Sequence, residues 1–256
     1  MIPRLVSVYF ASTDVSAERG EQYVRLAQVL AYTARTHLPT WDRRITEIVP
    51  PTGQSALANA SHVWNTAKLE AWADAVAEAP DGTPVLLMDA DMMILKPLDD
   101  LWARPFDLAY TLRAHSRTLP LNGGVVALRV SDHTRGFLAR WVALNRQFLT
   151  DAAAHQPWRA KYAGINQASF GALLEAADHG CDLLTLPCAE WNCVEWELFD
   201  PEVTRAVHLK SKLRRELFHW AAPVSPIHKR LIAHWRALEQ EAARWRAAHR
   251  EEVTCA

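Results

Sequence analysis

The sequence lacks several features that would assign it to a large class of proteins. Half of its 256 residues are hydrophobic, yet no apolar run reaches the roughly 20 residues of a membrane-spanning helix. The formal net charge is -1, which gives no electrostatic reason to expect nucleic acid as a partner. It also has no linker rich in glycine, serine and proline, no internal repeat and no segment typical of a secretory signal. We therefore expect one domain with a large core, located in the cytoplasm.

Cysteine is sparse as well. The chain contains Cys181, Cys188, Cys193 and Cys255, without a Cys-x-x-Cys pair. Cys188 and Cys193 could be combined with His179 or His208 into a zinc site, but the spacing matches no standard zinc pattern. Reduced, buried thiols are the expected alternative, and they are typical of a cytoplasmic protein.

The most informative segment is an apolar run that ends in two carboxylates. Val85 to Met88 are continuously apolar, and Asp89-Ala90-Asp91 follows them directly. Such a run predicts a central parallel strand that is covered by helices on both faces and whose carboxyl end lies where substrates bind. Alternation along the strand places Asp89 and Asp91 on one side, where two oxygen ligands suit Mg²⁺ or Mn²⁺. By itself Asp-x-Asp is a weak signal, since chance gives about one in a chain of this composition.

Strand and helix signals alternate along the remaining chain, which predicts an α/β architecture. The other predicted strands are Leu5 to Phe10, Ile45 to Val49, Asp107 to Thr111, Gly124 to Leu128, Leu183 to Leu186 and Ala206 to Leu209. One predicted helix follows the first strand and has Tyr23 on its apolar stripe, and another begins with Ser61 as its N-cap. A third carries the apolar stripe Phe137, Trp141, Leu144 and Phe148, and a fourth spans Asn166 to Ala177.

The tail from Ile227 predicts an amphipathic helix, with Leu231 and Trp235 at helical spacing among many basic residues. A basic amphipathic helix can make peripheral contact with an anionic membrane. Because glutamates such as Glu239 and Glu241 dilute the positive charge, a helix docked on the domain is the preferred interpretation. We expect residues 1–222 to form the main domain and residues 223–256 to form this helix, packed on it.

Four later segments supply polar side chains that suit a metal and phosphate site. They are Asn122-Gly123-Gly124, Asn166-Gln167, Trp191-Asn192 and His208-Leu209-Lys210-Ser211-Lys212. Each segment is weak alone. Their order and spacing resemble the nucleotide-sugar-dependent glycosyltransferases of the GT-A fold, closest to the retaining group that includes glycogenin and bacterial lipopolysaccharide galactosyltransferases. The resemblance extends from Leu5 to about Arg215.

This resemblance implies a single-domain, Rossmann-like α/β fold with a mostly parallel central sheet flanked by helices and a C-terminal helical tail. It implies transfer of a hexose from a UDP-sugar to a glycan or another hydroxyl acceptor, with retention of configuration. Asp89, Asp91 and His208 would bind Mn²⁺ or Mg²⁺. The other implied donor-binding residues are Ala11, Ser12 and Thr13 at the uracil and ribose, then Lys68, Ala90, Gly123, Lys210, Lys212 and Arg214. Asn122, Asn166 and Gln167 would lie at the reacting sugar, with Gln167 under the anomeric carbon.

The sequence departs from the family pattern at two points. Asn166 stands where the family often has an acidic residue, which affects the choice of donor sugar. Ser211 and Arg214 stand at the spacings of a glycine and a lysine that clamp the diphosphate. Arginine also binds phosphate, with bidentate geometry, and Lys210 and Lys212 could share the task.

Other interpretations stay open. An inverting transferase would need a carboxylate base such as Glu190, Glu195 or Asp200. A haloacid-dehalogenase-like phosphatase would use Asp89 as nucleophile, although those enzymes usually carry the motif near the chain start. A non-catalytic carbohydrate-binding protein is supported only by Ser211. The metal-dependent glycosyltransferase accounts for the largest number of segments, and we therefore expect it.

Overall fold

A computed structural model of the chain describes residues 1–11, 17–49, 60–114, 120–176, 178–219 and 225–249. The strands are β1 Arg4–Tyr9, β2 Asp42–Glu47, β3 Pro84–Met88, β4 Met92–Ile94, β5 Leu108–Leu112, β6 Leu121–Arg129, β7 Leu183–Pro187 and β8 Ala206–His208. The helices are α1 Ala17–His37, α2 Ala60–Ala77, α3 Asp132–Thr150, α4 Ala152–Tyr162, α5 Ile165–Glu175, α6 Cys188–Trp191, α7 Ser211–Phe218 and α8 Pro226–Ala248. Asp99–Ala103 and Trp196–Leu198 form short 3-10 helices.

The main sheet confirms the expected α/β architecture. Its six strands lie in the order β2-β1-β3-β6-β5-β7. Strand β6 is antiparallel to both of its neighbours, whereas all other neighbouring pairs are parallel, so the sheet is mostly parallel. The expectation of parallel neighbours for β3 is correct on one side only, because β1 is parallel to it and β6 is not. Strand β2 forms one edge and carries charged side chains, which discourage pairing with another chain.

Strand β3 is buried on both faces, which explains its continuous apolar sequence. Val85 and Leu87 lie in an apolar cluster with residues of α2, α3 and α5. Leu86 and Met88 point to the opposite face and lie in a second cluster with residues of α1. Each of these side chains is at most 1% exposed, and burial of one such side chain contributes about 1.5–3 kcal/mol. The two-sided packing fixes the direction in which the chain leaves β3.

A second, two-stranded sheet brings the end of β3 close to the end of β8. Strand β4 follows Asp91 directly and pairs antiparallel with β8, with Met92 opposite His208. The backbone N–H of Leu209 donates to the carbonyl of Asp91 at 2.8 Å. These two segments are distant in the sequence, so this pairing is what places His208 beside the acidic pair.

Helix α8 packs on α1 within the described residues. Trp235 is fully buried, and Arg25 of α1 forms an ion pair with Glu239 at 2.6 Å. The hydroxyl of Tyr32 donates to Glu241 at 3.0 Å. The glutamates of α8 therefore serve helix packing, in addition to lowering the charge of the tail. No helix among the described residues is both long and apolar enough to cross a membrane.

Several predicted boundaries differ from those in the structure, among them those of α2 and β2. Helix α2 has already begun at Ala60, so Ser61 lies in its first turn and is not its N-cap. Strand β2 spans Asp42–Glu47 because every one of its residues pairs with β1, from Arg4 opposite Asp42 to Tyr9 opposite Glu47. The hydrogen-bond ladder, rather than the hydrophobic pattern, sets the limits of this edge strand.

The described cysteines are buried free thiols, as expected; Cys255 lies outside the described residues. Burial raises the pKa of Cys188 to about 11 and that of Cys193 to about 12, so both thiols are protonated at neutral pH. Within the described part of the chain, neither belongs to a group of side chains arranged to hold a metal ion. The zinc alternative is therefore not supported.

Candidate metal centre and adjoining cavity

Three side chains converge at the carboxyl edge of β3. Asp89 follows β3, Asp91 precedes β4, and His208 is the last residue of β8. The Nε2 atom of His208 lies 3.0 Å from Oδ1 of Asp91 and 3.6 Å from Oδ2 of Asp89. One ligand atom from each residue falls within 4.8 Å of the others, so the group could hold a metal ion. Two carboxylates with one imidazole suit Mn²⁺ and related divalent ions.

A buried hydrogen-bond network fixes the orientation of the His208 ring. Its Nδ1 lies 2.9 Å from Oδ1 of Asn192. The amide nitrogen of Asn192 donates to Oγ1 of Thr111 at 2.9 Å, and the Thr111 hydroxyl itself donates to the carbonyl of Asn122 at 2.8 Å. The amide oxygen of Asn192 can only accept, so Nδ1 of His208 carries a hydrogen. In the neutral ring, Nε2 is then the free ligand nitrogen, and it faces the two aspartates.

Gly124 makes this arrangement possible. A Cβ atom on Gly124 would lie 2.5 Å from both Nδ1 and Cε1 of His208. Only a residue without a side chain allows the imidazole to approach β6 so closely. Asn122 is fully buried, and its Oδ1 accepts from the N–H of Gly124 at 3.0 Å. The Asn122-Gly123-Gly124 segment thus supports the imidazole.

Two cations contact the aspartate oxygens that face away from His208. Lys68 lies 2.5 Å from Oδ1 of Asp89, and Arg214 lies 3.0 Å from Oδ2 of Asp91. The oxygens closest to His208 are the other two, so these ion pairs leave the converging ligand atoms free of lysine and arginine. The residues present therefore fit a divalent ion. Burial alone would raise the pKa of Asp91, but His208, Arg214 and Lys210 hold it well below its ordinary value.

A cavity of about 390 Å³ opens beside the centre. Its lining includes Asp89, Asp91 and His208, the cationic residues Arg19, Lys68, Lys210 and Arg214, the aromatic residues Tyr9, Phe10, Tyr23 and Trp64, and the amides Asn65, Asn166 and Gln167. Asp89 and Asp91 are the only carboxylates among the described lining residues. Burial lowers the pKa of Lys210, although Asp89 and Asp91 act in the opposite direction. The cavity thus combines an acidic centre with a cationic wall, which suits a ligand of diphosphate type.

Two amide side chains at the start of α5 lie on the cavity wall. The Oε1 of Gln167 accepts from Lys210 at 3.3 Å, and its Nε2 donates to the carbonyl of Tyr162 at 2.8 Å. The Nδ2 of Asn166 donates to the carbonyl of Asn65 at 2.8 Å. The Oδ1 of Asn166 is buried and has no partner among the described residues, so it offers a free acceptor beside the cavity.

The remaining predicted residues are distributed unevenly. Ala90 and Gly123 line the cavity, and Ala11 follows Phe10, which also lines it. Ser12 and Thr13 lie outside the described residues. Lys212 is exposed and points toward Glu216, at 3.9 Å, rather than into the cavity. Of the three cations that the sequence could not rank, Lys210 and Arg214 are therefore the ones beside the acidic pair.

Sequence reasoning missed several residues of the cavity wall. Tyr23 was expected only in the apolar stripe of the first helix, but its hydroxyl accepts from Arg214 at 3.0 Å. Trp64 of α2 also lines the cavity. A usable signal was present, because Ser61, Trp64, Asn65 and Lys68 share one face of α2. Because Lys68 is predicted to bind the donor, the other residues on the same face of α2 could have been predicted to lie beside the donor as well.

The fold is similar to that of solved glycosyltransferases. A glycosyltransferase involved in the glycosylation of the major capsid of PBCV-1 matches 86% of this chain and 100% of its own, with a TM-score of 0.58 and 12% identity. The chain has the GT-A fold. The glycosyltransferase GlyE of Streptococcus pneumoniae TIGR4 matches 93% of this GT-A chain, with a TM-score of 0.56 and 11% identity. The chain spans 63% of the GlyE chain, which is less than two thirds of it.

No protein-family model matches this GT-A chain, and its sequence matches no curated protein. At 11–12% identity, the structural likeness establishes the fold. Function must be argued from the site, because one fold supports many activities.

Proposed function

We propose that the chain is a glycosyltransferase that moves a hexose from a UDP-sugar to a hydroxyl acceptor with the help of Mn²⁺ or Mg²⁺. The observation that carries the proposal is the convergence of Asp89, Asp91 and His208 at the mouth of a cavity with a cationic wall. The GT-A fold supports it, since transferases of this fold act on nucleotide-sugars. The phosphatase alternative has no comparable support from the fold.

The charges of the site suit a departing nucleoside diphosphate. A divalent ion held by Asp89, Asp91 and His208 would neutralise part of the negative charge that develops on the leaving group. Lys210 and Arg214 add positive charge from the same wall of the cavity. Both side chains are partly buried, and electrostatic interactions are stronger there than in bulk solvent. Stabilisation of the leaving group is therefore the main catalytic contribution that we assign to these side chains.

The amides of α5 suit the sugar end of the donor. The free Oδ1 of Asn166 can accept a hydrogen bond from a sugar hydroxyl. Gln167 has both ends of its amide bound, to Lys210 and to Tyr162, so its position is fixed before a substrate binds. We assign it the role of a stabilising neighbour of the anomeric carbon. Phe10 and Trp64, whose ring centroids lie 6.0 Å apart, offer flat apolar surface for the nucleobase.

The placement of carboxylates supports retention of configuration. An inverting reaction needs a carboxylate base opposite the leaving group, and Glu190, Glu195 and Asp200 are absent from the cavity lining. Glu190 instead forms an ion pair with Arg205 at 2.8 Å. In a retaining reaction on one face, an oxygen of the departing diphosphate can accept the proton of the acceptor hydroxyl. Such a reaction requires no further base from the protein.

The decisive test is release of UDP from a panel of nucleotide-sugars, with and without Mn²⁺. We expect release from one donor that depends on the metal and falls by about 100-fold or more in Asp91→Asn, because the negative charge of one metal ligand is lost. Asp132→Asn is the matched control, since Asp132 is fully exposed at the start of α3.

Two results would contradict the proposal. Metal-dependent cleavage of p-nitrophenyl phosphate without nucleotide release would indicate the phosphatase. Binding of a glycan without release of UDP from any donor would indicate the carbohydrate-binding protein.

A further inference from the structure

Four buried polar side chains connect helices α2, α3 and α5. They are Thr66 of α2, Trp141 and Asn145 of α3, and Ser169 of α5, and each is at most 4% exposed. We call them the interhelix polar cluster. None of the four is among the described residues that line the cavity. Because burial of a polar group is unfavourable unless its hydrogen bonds are made, the partners of these side chains indicate what the cluster does.

The interhelix polar cluster forms a continuous chain of hydrogen bonds. The amide nitrogen of Asn145 donates to the hydroxyl of Thr66 at 2.7 Å, and the hydroxyl of Ser169 donates to the amide oxygen of Asn145 at 2.9 Å. The indole nitrogen of Trp141 donates to the Ser169 hydroxyl at 3.0 Å and to the backbone carbonyl of Asn166 at 3.1 Å. Donors and acceptors on three helices are thus paired with one another, which fixes the relative position of α2, α3 and α5.

The chain of hydrogen bonds adjoins both groups that hold Asn166 in place. The Nδ2 of Asn166 donates to the backbone carbonyl of Asn65 at 2.8 Å, and Asn65 directly precedes Thr66 of the cluster. The backbone carbonyl of Asn166 accepts from Trp141, as described above. The Oδ1 of Asn166 is the end of this amide that has no partner among the described residues. Because the amide is bound to α2 while its backbone belongs to α5, the relative position of the two helices decides where this oxygen lies.

Stability alone does not require polar groups between these helices. Replacement of both partners of a buried hydrogen bond by apolar groups of the same shape can leave stability nearly unchanged. Apolar packing is already present beside the cluster, since Trp141 stacks on Phe170 with ring centroids 4.4 Å apart. Hydrogen bonds add a requirement for direction and distance, so they are satisfied at only one relative position of the helices.

We propose that the interhelix polar cluster positions Oδ1 of Asn166 against the donor sugar, with Thr66 as a positioning residue that acts through Asn166. This inference rests on the proposed function and deepens it, because it assigns a role to side chains that touch no substrate. The metal ligands lie at the ends of β3, β4 and β8, outside these three helices. Loss of the cluster should therefore slow turnover of the donor while binding of Mn²⁺ and UDP stays normal.

The test compares Thr66→Val with Thr66→Ser. The Thr66 hydroxyl donates to the carbonyl of His62 at 2.9 Å and accepts from Asn145. Valine keeps the shape of threonine without the hydroxyl, whereas serine keeps the hydroxyl and loses a methyl group. We expect Thr66→Val to lower kcat for UDP release by about tenfold, because displacement of a positioning group is costly in rate, with unchanged affinity for UDP in the presence of Mn²⁺. Thr66→Ser should turn over the donor nearly as fast as the wild type does.

Thr134→Val is the matched control, because it removes another buried threonine hydroxyl. The partners of that hydroxyl, Arg129 and Ser131, are not among the described residues that line the cavity. This variant should have a lower melting temperature and an unchanged kcat. A double-mutant cycle with Asn166→Ala tests the route of the effect: once Oδ1 is absent, Thr66→Val should lower kcat no further.

Three results would overturn the proposal. The first is a kcat of Thr66→Val equal to that of the wild type or to that of Thr66→Ser, since the hydroxyl would then have no role of its own. The second is additive losses in Thr66→Val and Asn166→Ala, which would show that Thr66 does not act through Asn166. The third is a wild-type protein that releases UDP from no donor, which overturns the proposed function as well. The first two results require an active wild type, so failure of the positioning role and failure of the proposed function are distinguishable.

Discussion

Gly124→Ala is expected to disable the metal centre by a single methyl group. The added Cβ would lie 2.5 Å from Nδ1 and Cε1 of His208 and 3.1 Å from Oδ1 of Asn192. Real Cβ atoms do not approach other heavy atoms to 2.5 Å, so the imidazole or the strand must move. The ring cannot retreat easily, because His208 is only 1% exposed and its Nδ1 is bound to Asn192.

The size of the effect follows from the packing. An extra methyl group in a well-packed interior costs about 1–3 kcal/mol. Displacing the ring also removes Nε2 of His208 from its position 3.0 Å from Asp91. Perturbation of the residues that orient a metal ligand typically lowers metal affinity by about 10–100-fold. We therefore expect a lower melting temperature and Mn²⁺ binding that is weaker by this factor.

The assay is direct titration of the protein with Mn²⁺, with free Mn²⁺ followed by its electron paramagnetic resonance signal. Gly123→Ala is the matched control, because a Cβ there would meet only Cγ of Gln167, at 3.7 Å, which is ordinary contact. Its Mn²⁺ affinity should stay within about twofold of the wild type. The comparison separates the position of His208 from a general effect of alanine on β6.

Normal Mn²⁺ affinity in a folded Gly124→Ala protein would refute this reasoning. It would mean either that His208 is not a metal ligand or that β6 can shift to accommodate the methyl group without a cost in free energy. Equal losses in Gly123→Ala and Gly124→Ala would refute it too, since the two positions differ in what their Cβ atoms would touch.

Two further predictions concern the buried network and the thiols. Asn192→Leu removes the acceptor of the His208 Nδ1 hydrogen and should weaken Mn²⁺ binding by about tenfold or more. Asn192→Asp still offers an acceptor and should bind Mn²⁺ more tightly than Asn192→Leu does. Equal losses in the two variants, measured by the same titration, would contradict the assigned tautomer. Burial raises the pKa of Cys193 to about 12, above about 8.5 in an unfolded chain, so its contribution to stability is complete below about pH 8.5 and is lost as the pH rises toward 12. The melting temperature should therefore fall across this alkaline range, and less steeply in Cys193→Ala; parallel curves for the two proteins would contradict the assignment to this thiol.

The sequence by itself determined the features that depend on neighbouring residues. Continuous apolarity from Val85 to Met88 predicted a strand buried on both faces, and the two clusters around β3 confirm it. The order of strands and helices predicted the α/β architecture. The location of the Asp89 and Asp91 carboxylates could also be predicted, because residues that follow a strand of this kind lie at the carboxyl edge of the sheet.

Only the tertiary structure decided how distant segments meet. The pairing of β4 with β8 places His208 beside Asp91, and no local pattern encodes a register between segments so far apart. Packing of α7 against α1 decided that Arg214, rather than Lys212, contacts Asp91. Side-chain periodicity reports which face of an element is buried but not which residue it will touch. The metal ligands and the Trp191-Asn192 segment were therefore visible as candidates in the sequence, whereas the contact of Asn192 with His208 and that of Tyr23 with Arg214 emerged only from the folded chain.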